Sequence, residues 1–370
     1  MRGQMFQPTV SLLPDDETHP YGSVGVAVVG LGSWGPNLLH ALGESVDAEV
    51  RWICDVDSSR LAKFRRRHPE ARVTTHMDRI LADPAVDAVV LATPSDKHYE
   101  LAMRALDAGK HVFVKPPLAT STELADDLAA TARERRRIVT CAHTFVYSPP
   151  VRAIKRMIDA GMLGDIYYIS SSRLNLGPDQ RVGSVIWDLG PDDFSILMYW
   201  LSEMPTSVRA LGRDSMFKGI ADLAFVTMNF ASGIVVHVEL SWLAPSKLRR
   251  TKVVGSERTV VYRGGAQEPI RLFDCGVVDH VAEPFRDGQP AYRGGDIVSP
   301  NIEAYEPLEM QLGDFVRAIR GRELLEYQTT LARSVVQIAQ AADESLRLGG
   351  ADVSPAAVGQ LVARRGLAVI

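Results

Sequence analysis

Between Val24 and Cys141 the chain alternates short apolar runs with amphipathic stretches. Val24–Val29 and Ala88–Ala92 are apolar throughout, and Glu49–Cys54, His111–Val114 and Ile138–Cys141 also read as strands. Runs without polar alternation predict strands buried on both faces. The segments between them, Pro36–Leu42, Ser59–Arg67, His98–Ala108 and Thr122–Arg137, place apolar residues at helical spacing. Strands that alternate with helices predict a parallel sheet with right-handed crossovers.

Near Phe145 the rhythm changes. Pro150–Ala160 predicts an amphipathic helix stopped by Gly161, and strand-like segments dominate afterwards: Asp165–Leu174, Ser207–Gly212, Leu223–Phe230, Ile234–Trp242, Lys252–Val254, Thr259–Tyr262 and Ile270–Phe273. Two of them, joined across Ala231-Ser232-Gly233, predict an antiparallel hairpin. Phe194–Leu201 is an apolar stripe suited to core or subunit contact, and helices are expected near Leu308–Arg320 and Thr330–Leu348. The expected organisation is a flexible tail over 1–23, an α/β domain over 24–144, a second domain over 145–350 with an open, largely antiparallel sheet, and a C-terminal extension over 351–370.

Length supports two domains, since 370 residues exceed what one hydrophobic core serves. A formal net charge of -4 argues against nucleic acid or an anionic membrane as partner. The basic clusters Lys63–His68 and Arg133–Arg137 fall on predicted helices and read as solvated faces. Three scattered cysteines, Cys54, Cys141 and Cys275, suit reduced thiols, and with no greasy leader the expected location is the cytoplasm. The histidine and cysteine spacings suggest no metal.

Candidate chemistry begins at Gly30-Leu31-Gly32-Ser33-Trp34-Gly35, which follows one predicted strand and opens a helix. Glycines in this pattern give a tight turn, a close approach to a pyrophosphate and close helix–strand packing, with the helix N-terminus facing the anion. Asp55 ends the next strand where a carboxylate bonds the adenine-ribose hydroxyls and repels a 2′-phosphate, which favours NAD over NADP. Asp57 either shares that role or caps the next helix, and Arg60 leaves dual specificity open. Ala92-Thr93-Pro94 either lines the crevice beyond the strand ends or simply ends a strand.

These residues, with His98, Ala108–Val112 and Asp188-Leu189-Gly190-Pro191, resemble the Gfo/Idh/MocA (glucose–fructose oxidoreductase and inositol dehydrogenase) family. In detail they resemble members from sugar-nucleotide and antibiotic-sugar pathways. The resemblance implies a Rossmann domain, a substrate domain with an open sheet, bound NAD, and hydride exchange with a sugar or sugar-like hydroxyl. Two positions depart from the family pattern. Where the family has Glu-Lys-Pro, this chain has Lys115-Pro116-Pro117, so Lys115 takes the Glu slot and Pro116 the catalytic Lys slot. The family's catalytic histidine falls on Asp192.

A carbinol that loses hydride must also lose its hydroxyl proton to a base, a role proline cannot fill. Lys115, Asp192 and Tyr147 are the candidate proton carriers, with Asp188 beside them. Lys115 either reaches the site or points away as a surface or ion-pair residue. Asp192 is expected in a first helical turn after Pro191, where the helix N-terminus would stabilise its anion. Asn175, Arg173 and His143 are candidate substrate contacts. Three functions remain open on this reading. One is an NAD-dependent oxidoreductase with a non-standard proton relay. The others are a non-redox cyclase, dehydratase or isomerase of secondary metabolism, and a non-catalytic NAD-binding accessory protein. A homodimer or homotetramer is expected, because apolar residues on an open sheet commonly meet a second copy.

Overall fold

The computed structural model describes residues 11–12, 22–177, 183–277, 292–321 and 323–358. In chain order the elements begin β1 (Ser11–Leu12), β2 (Val24–Val29), α1 (Gly35–Gly43), β3 (Ala48–Cys54), α2 (Ser58–Arg67), β4 (Arg72–Thr74) and α3 (Asp78–Leu81). There follow β5 (Ala88–Leu91), α4 (His98–Asp107), β6 (His111–Val114), α5 (Thr122–Glu134) and β7 (Val139–Cys141). Next come α6 (Pro149–Asp159), β8 (Ile166–Leu176), α7 (Val185–Leu201), β9 (Ser207–Arg213), β10 (Leu223–Asn229), β11 (Val235–Ser241) and β12 (Leu243–Gly255). The chain continues through β13 (Thr259–Arg263), β14 (Ile270–Phe273), β15 (Gly276–Val277), β16 (Tyr292–Arg293), β17 (Ile297–Val298), α8 (Pro307–Gly321), β18 (Glu323–Leu324) and α9 (Glu326–Arg347).

Two compact units result: the chain up to Tyr147 with Glu306–Gln337, and Ser148–Tyr305 with the chain from Ile338 onward. In the first, six parallel strands lie in the order β4-β3-β2-β5-β6-β7. Val26, Val28, Ile53, Ala88–Leu91 and Val112–Val114 are fully enclosed, which is why their local sequence is apolar without alternation. The strand order reverses between β2 and β5, opening a crevice beyond their carboxyl ends.

The expected second domain over 145–350 is interrupted. Helix α8 packs Leu308, Leu312, Phe315 and Val316 into the core formed by Val26, Leu38 and Phe113, and the Phe113 and Phe315 rings lie 5.4 Å apart. Amphipathicity announces that helix but not which core receives its apolar side. The expected flexible tail also needs correction, because Ser11–Leu12 pairs antiparallel with β18; most of that tail and residues 359–370 lie outside the described residues.

The second unit carries an eight-stranded sheet in the order β17-β14-β13-β12-β8-β11-β10-β9. Only β8 and β11 pair in parallel; the other neighbours are antiparallel. Helix α7 covers one face with Phe194, Ile196, Leu197 and Trp200, and the Trp200 indole donates to Val151 O at 2.9 Å. Gly190 leaves room for the Phe194 ring, which a Cβ there would meet at 2.6 Å. The other face leaves Leu211, Phe225 and Val235 exposed.

Helix α7 starts at Val185 after Ser184, and Pro191 lies inside it. Asp192 is therefore two turns in, and the expected stabilisation by a helix N-terminus does not apply; Asp188 occupies the first turn instead. Replacing Phe315 by Ala should destabilise the protein by about 3–5 kcal/mol. Denaturant titration followed by circular dichroism measures this, and a midpoint unmoved from that of the unsubstituted protein would contradict the placement of α8.

Candidate functional site

The glycine turn is shaped by three different contacts. Gly30 has φ +98° and lies against the chain beyond β5, where a Cβ would sit 2.7 Å from Ala92 C and O. A Cβ on Gly35 would sit 2.2 Å from Gly30 O, so this glycine lets α1 start against the turn. Gly32 has nothing within 4 Å of its missing Cβ. Trp34 stands at the N-cap of α1 without a side-chain cap, and Pro36 follows in the first turn. The backbone N–H groups there are thus available to an anion, while Gly32 leaves the room for its approach.

Asp55 is 5% exposed, and its Oδ2 accepts from Leu31 N at 2.6 Å while Oδ1 accepts from Asp57 N at 2.8 Å. It fastens the glycine turn to the end of β3, and each oxygen retains a lone pair for a ribose hydroxyl. Asp57 caps α2 through Ser59 N, and hydrogen bonds from Ser59 hold its carboxyl below the usual range. Arg60 Nη1 stands 3.7 Å from Asp55 Oδ2.

Beyond β5, Ala92, Thr93 and Pro94 lead into α4, whose first residue is His98. The His98 ring is fully buried, with Nδ1 2.7 Å from Pro117 O and Nε2 2.9 Å from Thr93 O. Burial lowers its pKa, the two carbonyls oppose that, and the charge of Lys115 lowers it further. His98, an expected cofactor contact, braces the loop after β5 against the loop after β6 with both ring nitrogens. Lys115 is 9% exposed beside it, so it is not a surface residue. The Pro116-Pro117 bond is cis.

Two further buried polar groups lie beyond strand carboxyl ends. Thr93 Oγ1 and both ring nitrogens of His143, the second residue after β7, have no hydrogen-bond partner in the protein. Burial alone pushes the His143 pKa down to about 3, so its ring is neutral at physiological pH. Buried polar atoms without partners are expensive, and a ligand that supplied them would be favoured. Tyr147 is buried with its hydroxyl 3.5 Å from Gln328 Nε2.

The second unit gathers a separate cluster. Arg173 on β8 is 4% exposed and binds both neighbouring carboxylates of α7: its Nε donates to Asp193 Oδ2, and its Nη1 to Asp192 Oδ2 at 3.1 Å. Asp193 also accepts from Ser171 Oγ at 2.6 Å, and Ser171 lies 2.8 Å from Thr251 Oγ1. Burial raises the Asp192 pKa; Arg173 and then Arg249 oppose it, Asp193 adds to it, and Lys247 opposes it. Asp188 accepts from the Trp242 indole at 2.8 Å, so this candidate proton carrier ties α7 to the β11–β12 junction. Asn175 Nδ2 reaches Gly177 O at 3.4 Å. Sequence reasoning did not single out Asp193, Ser171, Thr251 or Arg249 as site residues. The only available signal was the alternation in Lys247-Leu248-Arg249-Arg250-Thr251, which sets Arg249 and Thr251 on one side of a strand. Among the described residues no group of three His, Cys, Asp or Glu side chains is arranged to hold a metal, and no described helix is long and apolar enough to cross a membrane.

Residues 24–143 match the profile of the Gfo/Idh/MocA oxidoreductase family with its NAD-binding Rossmann fold, and residues 151–261 match that family's C-terminal domain. The chain belongs to the Gfo/Idh/MocA family. Among its relatives is the NAD-linked scyllo-inositol 2-dehydrogenase of Bacillus subtilis, 30% identical over 64% of this chain and 73% of that protein. The 2,7-anhydro-N-acetylneuraminate hydratase of Mediterraneibacter gnavus is 25% identical over 56% of this chain and 59% of its own length. Among solved structures, GenD2 from gentamicin A biosynthesis in complex with NAD superimposes with a TM-score of 0.76 at 26% identity, covering 92% of this chain and 99% of that one. As in the rest of this Gfo/Idh/MocA family, the N-terminal unit is an NAD-binding Rossmann fold, and the open space at Gly32, the uncapped α1 and the unsatisfied Thr93 hydroxyl fit such a ligand.

Gly32→Ala should leave the fold intact, since the added methyl meets nothing, yet weaken NAD binding by about tenfold or more through loss of close approach. Gly30→Ala should instead lower thermal stability, because its φ and its contact with Ala92 both forbid a Cβ. Calorimetric NAD titration beside a melting curve separates the two; equal NAD affinity for Gly32→Ala and the unsubstituted protein would contradict the cradle.

Proposed function

We propose that the protein is an NAD-dependent oxidoreductase of a sugar or sugar-like secondary alcohol, with Asp192 as the base that takes the hydroxyl proton. The observation that carries this reading is the buried Arg173–Asp192 contact at the position where the family has its catalytic histidine. Gly30, Gly32, Ser33, Trp34 and Gly35 would hold the pyrophosphate, Asp55 the adenine ribose, and Ala92, Thr93, Pro94 and Lys115 the rest of the dinucleotide. When bound, NAD supplies the acceptor for the hydride that leaves the carbinol carbon.

The protein's part is the proton. Asp192, ionised and oriented by the Arg173 guanidinium, accepts it from the hydroxyl as the carbonyl forms, then releases it to solvent; its side chain keeps 26% exposure for that exchange. In the reverse direction a carboxyl with a raised pKa is protonated more often near neutrality than an ordinary aspartate, and so is more often available to donate, which suits the same residue to reduction. Asp193 and Asp188 hold Arg173 and α7 in place. Asn175 and His143 are proposed substrate contacts, and Tyr147 is a secondary proton carrier.

A second reading rests on Pro116. With no side-chain proton carrier in the family's lysine slot, a non-redox elimination or isomerisation that keeps bound NAD would also use Asp192 as base. One relative named above is a hydratase. Transient nicotinamide reduction in a single turnover separates the two: its appearance supports the oxidoreductase, and product formed with no such transient supports the second reading.

Asp192→Asn should lower kcat for alcohol oxidation by about 10²–10⁴ with NAD affinity unchanged. Because the base works only when ionised, kcat/KM for oxidation in the unsubstituted protein should climb with pH through an ionisation above the usual carboxylate value of 3.8, then level off. The variant should lack that limb; a variant that keeps it would remove Asp192 from the role.

We also propose that the outer face of the eight-stranded sheet meets a second copy of the chain. Leu211 at 57% and Phe225 at 40% exposure face each other on adjacent strands, and Val235 at 43% stands four positions further along β11, apolar surface that a partner would cover. Light scattering should give a dimer or tetramer, and Phe225→Glu with Leu211→Glu should shift it to monomer; a monomeric unsubstituted protein would refute this.

A further inference from the structure

We infer that Gln311 on α8 is a positioning residue: it clamps the turn beyond β7 so that His143 presents its ring to a neutral hydroxyl or carboxamide group of a bound ligand. The hydroxyl case rests on the oxidoreductase reading, in which His143 meets the sugar. The carboxamide case needs only the dinucleotide.

The argument starts at the edge of the parallel sheet. β7 is the last strand in its order and pairs with β6 alone. The His98 ring ties the loops after β5 and β6 to each other, whereas the turn after β7 has a strand neighbour on one side only. Helix α8 stands in for the other side. Its Leu308, Leu312 and Phe315 are buried apolar residues, and Gln311, 4% exposed, stands among them. A buried amide is tolerated when both its ends are hydrogen-bonded. Gln311 Nε2 donates to Cys141 O at 2.9 Å, and its Oε1 accepts from Thr144 Oγ1 at 3.3 Å. The two contacts bracket His143 along the chain, so the amide closes across the turn that carries it.

Satisfying this turn does not by itself call for glutamine. Cys141 O also accepts from His143 N at 2.8 Å, and Thr144 Oγ1 has a second acceptor in Ala142 O at 3.4 Å. A leucine at position 311 would strip neither group of its last partner and would suit the apolar neighbours. What glutamine adds is a fixed separation of Cys141 from Thr144, and with it a fixed direction for the side chain between them.

That side chain has the marks of a ligand contact. The His143 ring is 3% exposed, burial keeps it neutral, and neither nitrogen has a hydrogen-bond partner among the described residues. A neutral imidazole carries one N–H donor and one acceptor. A hydroxyl or a primary carboxamide answers both, whereas an ionised carboxylate answers only the donor. The place is also right for such a group. With the adenine ribose at Asp55 beyond β3, the nicotinamide half of the dinucleotide runs toward β5, β6 and β7.

The test is calorimetric binding on the full chain, first with NAD alone, then with myo-inositol, scyllo-inositol and D-glucose at saturating NAD. Gln311→Leu should weaken NAD or polyol binding by roughly 3- to 10-fold, the effect of one hydrogen bond, with the melting temperature held or raised. Gln311→Met, of similar length, repeats the measurement should leucine disturb the fold. A weaker NAD titration assigns the carboxamide; an unchanged NAD titration with weaker polyol binding assigns the hydroxyl. His143→Phe should weaken the same ligand, and Gln311→Leu should weaken it no further in that background, since one residue acts through the other. The inference is overturned by NAD binding unchanged in both Gln311 variants with polyol binding either unchanged or absent. A Gln311→Leu effect that persists in full beside His143→Phe overturns it as well. Weakened binding in a protein that shows no nicotinamide reduction would leave the clamp standing and count against the oxidoreductase reading alone.

Discussion

The second unit is organised around a single guanidinium. Arg173 is almost fully enclosed, and a charge in that position is tolerable only when it is matched. It is matched twice, by Asp193 and Asp192 on consecutive positions of α7. The pairing fixes the rotation of α7 over the sheet, and Gly190 leaves room on that helix for the buried Phe194 ring. The bond from the Trp242 indole to Asp188 anchors the same helix one turn earlier. Asp193 is deeply buried and further occupied by Ser171, so it serves as a strut, while Asp192 keeps a solvent-facing edge. Two adjacent aspartates thus acquire different chemistry from their surroundings.

Much of the first unit was legible along the chain, for reasons tied to particular residues. Strands such as Ala88–Leu91 and His111–Val114 are enclosed on both sides, and enclosure leaves a local record as an unbroken apolar run. The glycine turn was legible because backbone geometry there excludes most other residues. The second unit hid more. Lys247, Arg249 and Arg250 conceal the first half of β12, since charged residues in a strand look like a loop when their neighbours are unknown. Gly190-Pro191 looks like a helix boundary, yet α7 runs through it. The partners of Arg173 lie about twenty positions away in sequence on another element, and no spacing rule connects them.

The departures from the family pattern at Lys115-Pro116-Pro117 and at Asp192 take on different weights in three dimensions. Lys115 is buried beside His98, whose ring spans the loops after β5 and β6, so the local frame survives although the lysine slot holds proline. On the proposed oxidoreductase reading, the Arg173–Asp192 pair would do the proton work that Pro116 cannot. His143, neutral and without a protein partner for either nitrogen, remains suited to hydrogen bonding rather than to carrying charge.

Helix α8 carries a consequence for how the molecule is made. Its four core residues follow the whole of the second unit's sheet in the chain, yet they fill space against strands that are synthesised first. Synthesis therefore delivers the strands of the dinucleotide-binding half well before the helix that completes their core. Birth order and the order in which that core can close differ.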